Sequence, residues 1–68
     1  MYQIQFKCNR WVNYGNYSSR FQKNYDSYAE ALHDFNEKAM KTNRIVRLVR
    51  VLTPRKFDTI IESNVYEE

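Results

Sequence analysis

The side chains of this chain that are best suited to a chemical role are flat aromatic rings set among amides and cations. Eight of them fall within residues 1–28, namely Tyr2, Phe6, Trp11, Tyr14, Tyr17, Phe21, Tyr25 and Tyr28. Such rings stack on the bases of single-stranded nucleic acid while neighbouring cations contact its phosphates. Tyr, Trp and Arg also dominate protein–protein interfaces, and large rings fill the cores of small domains. The composition leaves three interpretations open: a nucleic-acid partner, a protein partner, or packing alone.

Positive charge is distributed unevenly along the chain. The net charge is +3, yet residues 1–25 and residues 38–56 contain basic side chains and no acidic ones. A basic surface of this kind suits an anionic partner, whereas a mixed, solvated surface is the plainer interpretation. The candidate nucleic-acid contacts are Lys7, Arg44, Arg55 and Lys56.

Catalytic and metal-binding constellations are not recognisable in the sequence. One cysteine, Cys8, and one histidine, His33, lack the paired spacing of a zinc site, and Cys8 is expected to be a small buried apolar residue. His33 has Glu30 at i−3 and Glu37 at i+4, which could make it an acid–base group, but a boundary histidine explains the pattern as well. The sequence contains no phosphate-binding glycine loop and no nucleophile elbow. We therefore predict a non-enzymatic protein with no catalytic residue, metal or cofactor.

The clearest element that could position these side chains is a helix over Ser27–Lys41. Its apolar residues recur at spacings of three and four, and its charged residues occupy the opposite arc. Ser27 with Glu30 three places later matches a capping box, and Asn43 is placed to end the helix in the left-handed conformation.

A hairpin is predicted before the helix. Residues 2–8 alternate between apolar and polar, which is typical of a half-buried strand, and a second strand is expected over about 12–17. A three-residue loop, Asn9–Trp11, keeps the apolar residues of both strands on one face and leaves Trp11 at the loop tip. Gly15 indicates a bulge or a close backbone approach.

A second hairpin is predicted after the helix. Arg44–Leu52 is rich in Val and Ile, which favours a strand, and a proline turn separates it from a last strand over Phe57–Glu62. Residues 63–68, which end in two glutamates, are expected to form a frayed acidic tail. The sum is a single α+β domain over 1–68 with the order ββαββ: a small four-stranded, mostly antiparallel sheet with one helix packed on one face.

One face of that sheet has no cover in the predicted fold. Ile45, Val49 and Val51 are expected there, and exposed apolar groups of this kind mark partner surfaces. Self-association into a homodimer through this face would cover them.

The cellular location follows from simple exclusions. No apolar run approaches the roughly 20 residues that a membrane span needs, and the first residues do not form a signal peptide. We expect a soluble, cytoplasmic protein without a membrane partner.

The spacing of several motifs resembles that of small phage-encoded accessory proteins. These motifs are Trp11-x-x-Tyr14-Gly15-x-Tyr17, Ser27-Tyr28-x-Glu30-Ala31-x-x-x-Phe35 and Arg47-Leu48-Val49-Arg50. The resemblance implies a protein that binds and blocks a host or defence-system protein or nucleoprotein, within the host cytoplasm. From the residues themselves we expect the partner contacts to be Trp11, Tyr17, Arg47 and Arg50. The alternative is a nucleic-acid-binding module that uses the basic and aromatic residues.

Overall fold

The computed structural model describes residues 1–64, and it contains the strands and the helix in the predicted order. The elements are β1 (Tyr2–Cys8), β2 (Arg10–Asn13), a 3₁₀ turn (Tyr14–Asn16), α1 (Tyr28–Lys41), β3 (Val46–Thr53) and β4 (Lys56–Ser63). The four strands form one antiparallel sheet in the order β2-β1-β3-β4. The predicted α+β fold is confirmed, with β1 and β3 as its central strands.

The first hairpin turns more tightly than the sequence indicated. Asn9, with a φ of 65°, is the single residue between β1 and β2, and Lys7 lies opposite Trp11. The predicted register is therefore wrong by two residues, and Trp11 lies within β2 rather than at a loop tip. Because side chains alternate with a period of two, a shift of two residues preserves the predicted faces of both strands.

The face of the sheet that α1 covers holds the core. Ile4 and Phe6 of β1 and the aliphatic residues of β3 pack against the helix through Phe35. The fully or nearly buried members of this cluster are Ile4, Phe6, Tyr14, Tyr25, Ala31, Phe35, Val46 and Leu48. Burying a side chain of this size contributes roughly 1.5–3 kcal/mol, so this face supplies most of the stability of the domain.

The segment between the 3₁₀ turn and the helix is held against the sheet edge. A Cβ atom on Gly15 would lie 2.5 Å from the Cα of Lys23, so the predicted close backbone approach is confirmed. Further on, Tyr25 and Tyr2 exchange backbone hydrogen bonds of 2.8 Å, which extends the β1 edge beyond the end of β2. The hydroxyl of the buried Tyr25 donates to Asp34 of α1 at 2.8 Å.

The helix ends differ from the sequence expectation. Ser27 is the N-cap residue, but its side chain makes no capping hydrogen bond, so the capping box is not formed. At the other end the helix continues into extended Thr42 rather than into a left-handed Asn43. The side-chain amide of Asn64 instead donates to the carbonyls of Ala39 and Thr42, both at 3.0 Å, and to that of Arg44 at 3.1 Å.

Two residues of the expected tail, Ser63 and Asn64, belong to the fold. Ser63 belongs to β4 and lies opposite Val46, and Asn64 is fixed by its bonds to the end of α1. Residues 65–68 lie outside the described part of the chain.

Candidate functional site

A connected row of side-chain hydrogen bonds crosses the face of the sheet opposite α1, which we call the open face. The Gln3 amide donates to the side-chain oxygen of Asn24 at 2.8 Å, and the Gln5 amide donates to that of Gln3 at 3.0 Å. Arg47 Nε then donates to Gln5 Oε1 at 2.8 Å. This open-face network of Asn24, Gln3, Gln5 and Arg47 satisfies Gln5, whose side chain is 3% exposed and would otherwise be costly to bury.

The guanidinium of Arg47 is the end of the network and its most constrained member. Its Cζ lies over the ring of Trp11, 4.0 Å from the centroid, and Nη1 makes a long contact of 3.5 Å to Thr59 Oγ1. Burial lowers the pKa of Arg47 from its ordinary value of 12.5, and the negative charge of Glu62 opposes this change. An arginine stays protonated in proteins at neutral pH, and the contacts with Trp11 and Gln5 hold this cation in place. Within residues 1–64, both N–H groups of Nη2 remain without an acceptor.

Trp11 lies in the edge strand β2, and two cations lie near its ring. It lies opposite Lys7 in the β1–β2 pair, and the Lys7 ammonium is 5.2 Å from the ring centroid. An indole attracts such cations through the negative charge of its ring face, by about 0.5–1 kcal/mol at exposed sites. The half-buried Trp11 ring thus fixes one arginine and faces one lysine on the open face.

The structure brings together two of the four predicted partner contacts. Trp11 and Arg47 touch, as described. Tyr17 follows the 3₁₀ turn and packs edge-to-face on Phe6, with ring centroids 5.8 Å apart, so it lies towards the covered face. Arg50 is exposed and lies opposite Tyr2. It is two residues from Leu48 in β3, so its side chain also lies on the covered side of the sheet. Tyr17 and Arg50 are therefore separate from the Trp11–Arg47 pair.

The predicted nucleic-acid contacts are divided between the two ends of the sheet. Lys7 and Arg44 lie at the end where β3 begins, whereas Arg55 and Lys56 lie in and after the β3–β4 turn. At about 3.3 Å per residue along β3, the two ends are roughly 25 Å apart. These four side chains therefore do not form one basic surface.

The apolar patch expected on the open face is smaller than predicted. Val49 is completely buried within the single chain, and Ile45 and Val51 are half-buried. Val49 lies between Gln3 of β1 and Thr59 of β4, and these two polar residues flank it on the open face. Of the three residues predicted for self-association, Val49 offers no surface to a second copy, and that assignment is corrected.

A concavity of about 250 Å³ lies where α1 ends beside the 3₁₀ turn, and we call it the basic-aromatic pocket. Its lining residues are Phe6, Tyr14, Tyr17, Ser18, Lys38, Thr42 and Arg44. The Lys38 ammonium is 4.5 Å from the Tyr14 ring centroid, and the Arg44 guanidinium carbon is 5.6 Å from that of Phe6. Burial raises the pKa of Tyr14, while a hydrogen bond with Thr42 and the charge of Arg44 act in the opposite direction.

The one grouping with metal-ligand character in the described residues lies on the outer surface of α1. Ligand atoms of His33, Asp34 and Glu37 lie within 4.8 Å of one another. Asp34 already accepts the Tyr25 hydroxyl. Glu37 accepts from Arg20 at 2.8 Å and from Lys41 at 2.9 Å, and its pKa is lowered chiefly by Lys41. Both carboxylates are engaged, so this trio fits a cation poorly.

The structure corrects one expectation about a residue that could do chemistry. Cys8, expected to be buried, is exposed at the end of β1. His33 is exposed beside a shallow concavity that Tyr25 and Asp34 also line.

The sequence placed Gln3, Gln5, Lys7 and Arg47 on the open face, but it gave no signal for Asn24 or Thr59, because neither lies in a segment with a clear period.

Comparisons with known proteins add no family to these observations. No protein-family model, curated protein or solved structure matches the chain. Within residues 1–64, α1 is too short and too polar to cross a membrane.

Proposed function

We propose that this chain is a non-enzymatic binding protein that docks its open face onto an acidic surface of a partner protein. The observation that carries the proposal is the Arg47 guanidinium, fixed over Trp11 and by Gln5, with its Nη2 donors unpaired among residues 1–64. A planar, preorganised guanidinium matches a carboxylate through two parallel hydrogen bonds. Because the group is already ordered, binding costs less side-chain entropy than it would for a free arginine.

Protein interfaces favour the residue types that meet here. Trp and Arg are the commonest hot spots, and they act best when neighbouring contacts exclude water from them. On the open face Thr59 contacts Arg47, and Gln3 lies next in the network beyond the buried Gln5, so Thr59 and Gln3 can contribute to that polar rim. The two longest extents of the molecule, 34 and 23 Å, limit a flat contact to on the order of 800 Å², which is the area a standard interface takes from each partner. A stable complex would therefore use the whole face.

The resemblance to phage-encoded accessory proteins suggests the class of target. In that interpretation the partner is a host or defence-system protein or nucleoprotein in the host cytoplasm, and occupation of its acidic surface blocks it. The binding would be stoichiometric, because a bound chain performs no turnover.

The test is a comparative capture from a nuclease-treated bacterial lysate with the wild type, Trp11→Ala, Arg47→Ala and the control Arg50→Ala. We expect a protein that the wild type and Arg50→Ala retain and that the two open-face variants lose. Titration calorimetry with that purified protein should give a 1:1 complex that Arg47→Ala weakens by about 10- to 100-fold. Equal binding by all four proteins would contradict the proposal.

Nucleic-acid binding is the second candidate function, and the basic-aromatic pocket is the observation that favours it. The aromatic rings of the pocket can stack on a base, and Lys38 and Arg44 can contact a phosphate. A titration of single-stranded DNA and RNA at several salt concentrations separates the candidates, since phosphate contacts make log affinity fall linearly with log salt. Weak, salt-insensitive retention would exclude this function.

A further inference from the structure

The basic-aromatic pocket contains two cations that lack an acidic partner in the described chain. The ion pairs within residues 1–64 join Arg20 and Lys41 to Glu37, and neither Lys38 nor Arg44 takes part in one. Both cations instead lie against rings, Lys38 over Tyr14 and Arg44 over Phe6. A cation held against a ring keeps its charge available to a ligand on its outer side.

The partial negative charge at the end of α1 is partly compensated at this pocket. The last carbonyls of a helix carry partial negative charge, which disfavours an anion placed beside them. The side-chain amide of Asn64 lies within hydrogen-bonding distance of the carbonyls of Ala39, Thr42 and Arg44, and so compensates part of this negative charge. The pocket thus keeps the charge of Lys38 and Arg44 with less opposition from the helix end.

Further donors and an open ring complete the site. The Ser18 hydroxyl accepts the backbone N–H of Arg20 at 3.3 Å, and its own O–H is free to donate. Tyr17 is 70% exposed, yet its edge-to-face contact with Phe6 fixes the plane of its ring. A flat group can stack on the exposed surface of that ring at the mouth of the pocket.

We propose that the basic-aromatic pocket binds a nucleotide through its phosphate ester, with the phosphate between Lys38 and Arg44 and the base stacked on Tyr17. A volume of about 250 Å³ is below that of most drug-sized ligand pockets, and it suits a phosphate with part of a sugar rather than a whole nucleotide. The base therefore lies outside, where Tyr17 is. This site is distinct from the open face, and the inference does not depend on the proposed protein partner.

The test is a titration with adenosine monophosphate, followed by amide chemical shifts and calorimetry. We expect shifts centred on Tyr14, Tyr17, Lys38 and Arg44, with weaker binding of inorganic phosphate, which has no base, and of adenosine, which has no charge. Lys38→Gln and Arg44→Gln should each weaken adenosine monophosphate about tenfold. Lys56→Gln, the same change at the other end of the sheet, should leave the affinity unchanged.

Tyr17 tests the stacking separately. Tyr17→Ala should weaken adenosine monophosphate by at least about fivefold and leave inorganic phosphate unaffected, whereas Tyr17→Trp should retain binding. If a 5′-phosphorylated oligonucleotide binds more tightly than adenosine monophosphate, the ligand of the pocket is the 5′ end of a nucleic-acid strand. If the two bind with equal affinity, the ligand is a free nucleotide. Shifts centred outside the pocket, no binding at millimolar ligand, or full affinity in the Lys38→Gln/Arg44→Gln double variant would each overturn the proposal.

Discussion

The two faces of the sheet are built from the same strands but by different means. On the covered face, Ile4 and Leu48 lie opposite each other and pack against Phe35 of α1. The next pair of residues between these strands, Gln5 and Arg47, lies on the open face and is joined by a hydrogen bond of 2.8 Å. The covered face excludes water through apolar area, whereas the open face satisfies its polar groups with one another.

This difference separates stability from recognition within a very small domain. Burial of apolar area is non-directional, so the covered face can stabilise the fold without presenting any particular chemistry. A hydrogen-bonded network contributes less to stability, since each bond replaces one to water, but it fixes the direction of the groups at its end. At the end of the open-face network that group is the Arg47 guanidinium over Trp11.

The largest expected effect comes from the covered face. Phe35→Ala removes a ring that is 1% exposed, and we expect a loss of about 3–5 kcal/mol in the free energy of unfolding. Such a loss is comparable to the total stability of many domains, so partial unfolding at 25 °C is expected. Urea denaturation followed by circular dichroism measures it. Met40→Ala on the same helix is the control, because Met40 is 87% exposed and its loss should change stability by less than about 0.5 kcal/mol.

The next effect tests the open-face network. Gln5→Ala removes the acceptor of Arg47 Nε and the donor to Gln3, and we expect a loss of about 1–3 kcal/mol in the free energy of unfolding. The matched control is Gln22→Ala, whose side chain is exposed and outside the network. If both variants are equally stable, the network does not contribute to the fold and the two faces differ less than the structure indicates.

Alkaline pH tests a polar contact within the covered face. Burial, and then the hydrogen bond to Asp34, raise the pKa of Tyr25 above its ordinary value of 10.0. The neutral phenol therefore stabilises the folded state fully below about pH 10, and this contribution is lost as pH rises from there through the raised folded-state pKa. Tyr25→Phe should lower stability at neutral pH by about 1 kcal/mol and make its decline above pH 10 shallower. An equally steep decline in urea denaturation of the variant would contradict this assignment.

A modest effect on stability should accompany a clear spectroscopic change when Arg47 is removed. Trp11 is the only tryptophan of the chain, so its fluorescence reports on the open face alone. Arg47→Ala should cost about 0.5–1.5 kcal/mol and shift the emission of Trp11 to longer wavelength, because the ring loses its cover and meets water. Arg50→Ala, which removes an arginine from the other side of β3, should leave the spectrum unchanged. Identical spectra for both variants would show that Arg47 does not cover the ring.

The sequence predicted the faces of the sheet better than the contacts made on them. Alternation in residues 2–8 placed Gln3, Gln5 and Lys7 opposite the core, and this depends only on the strand period of two. The hairpin register was wrong because Asn9 alone makes the turn, in a left-handed conformation that Asn tolerates but that the apolar pattern does not encode. Trp11 was consequently expected at a loop tip rather than within β2.

The contacts that could not be predicted join segments distant in sequence. Asn24 reaches Gln3 from a linker without periodicity, and Asn64 caps a helix that ends more than twenty residues earlier. Local patterns carry no information about such partners. The basic-aromatic pocket likewise depends on how α1 ends over the 3₁₀ turn, which brings Lys38 beside Tyr14.

The most direct test of the account is the nuclear magnetic resonance spectrum of the Arg47 side chain. If the guanidinium lies 4.0 Å over the indole and donates through Nε to Gln5, the side-chain protons of Arg47 should move upfield through the ring current and its Nε–H should exchange slowly with water. Both signatures should be lost in Trp11→Ala and persist in Arg50→Ala. An Arg47 with the shifts and the exchange rate of a free arginine would contradict the claim that the open face presents a fixed cation.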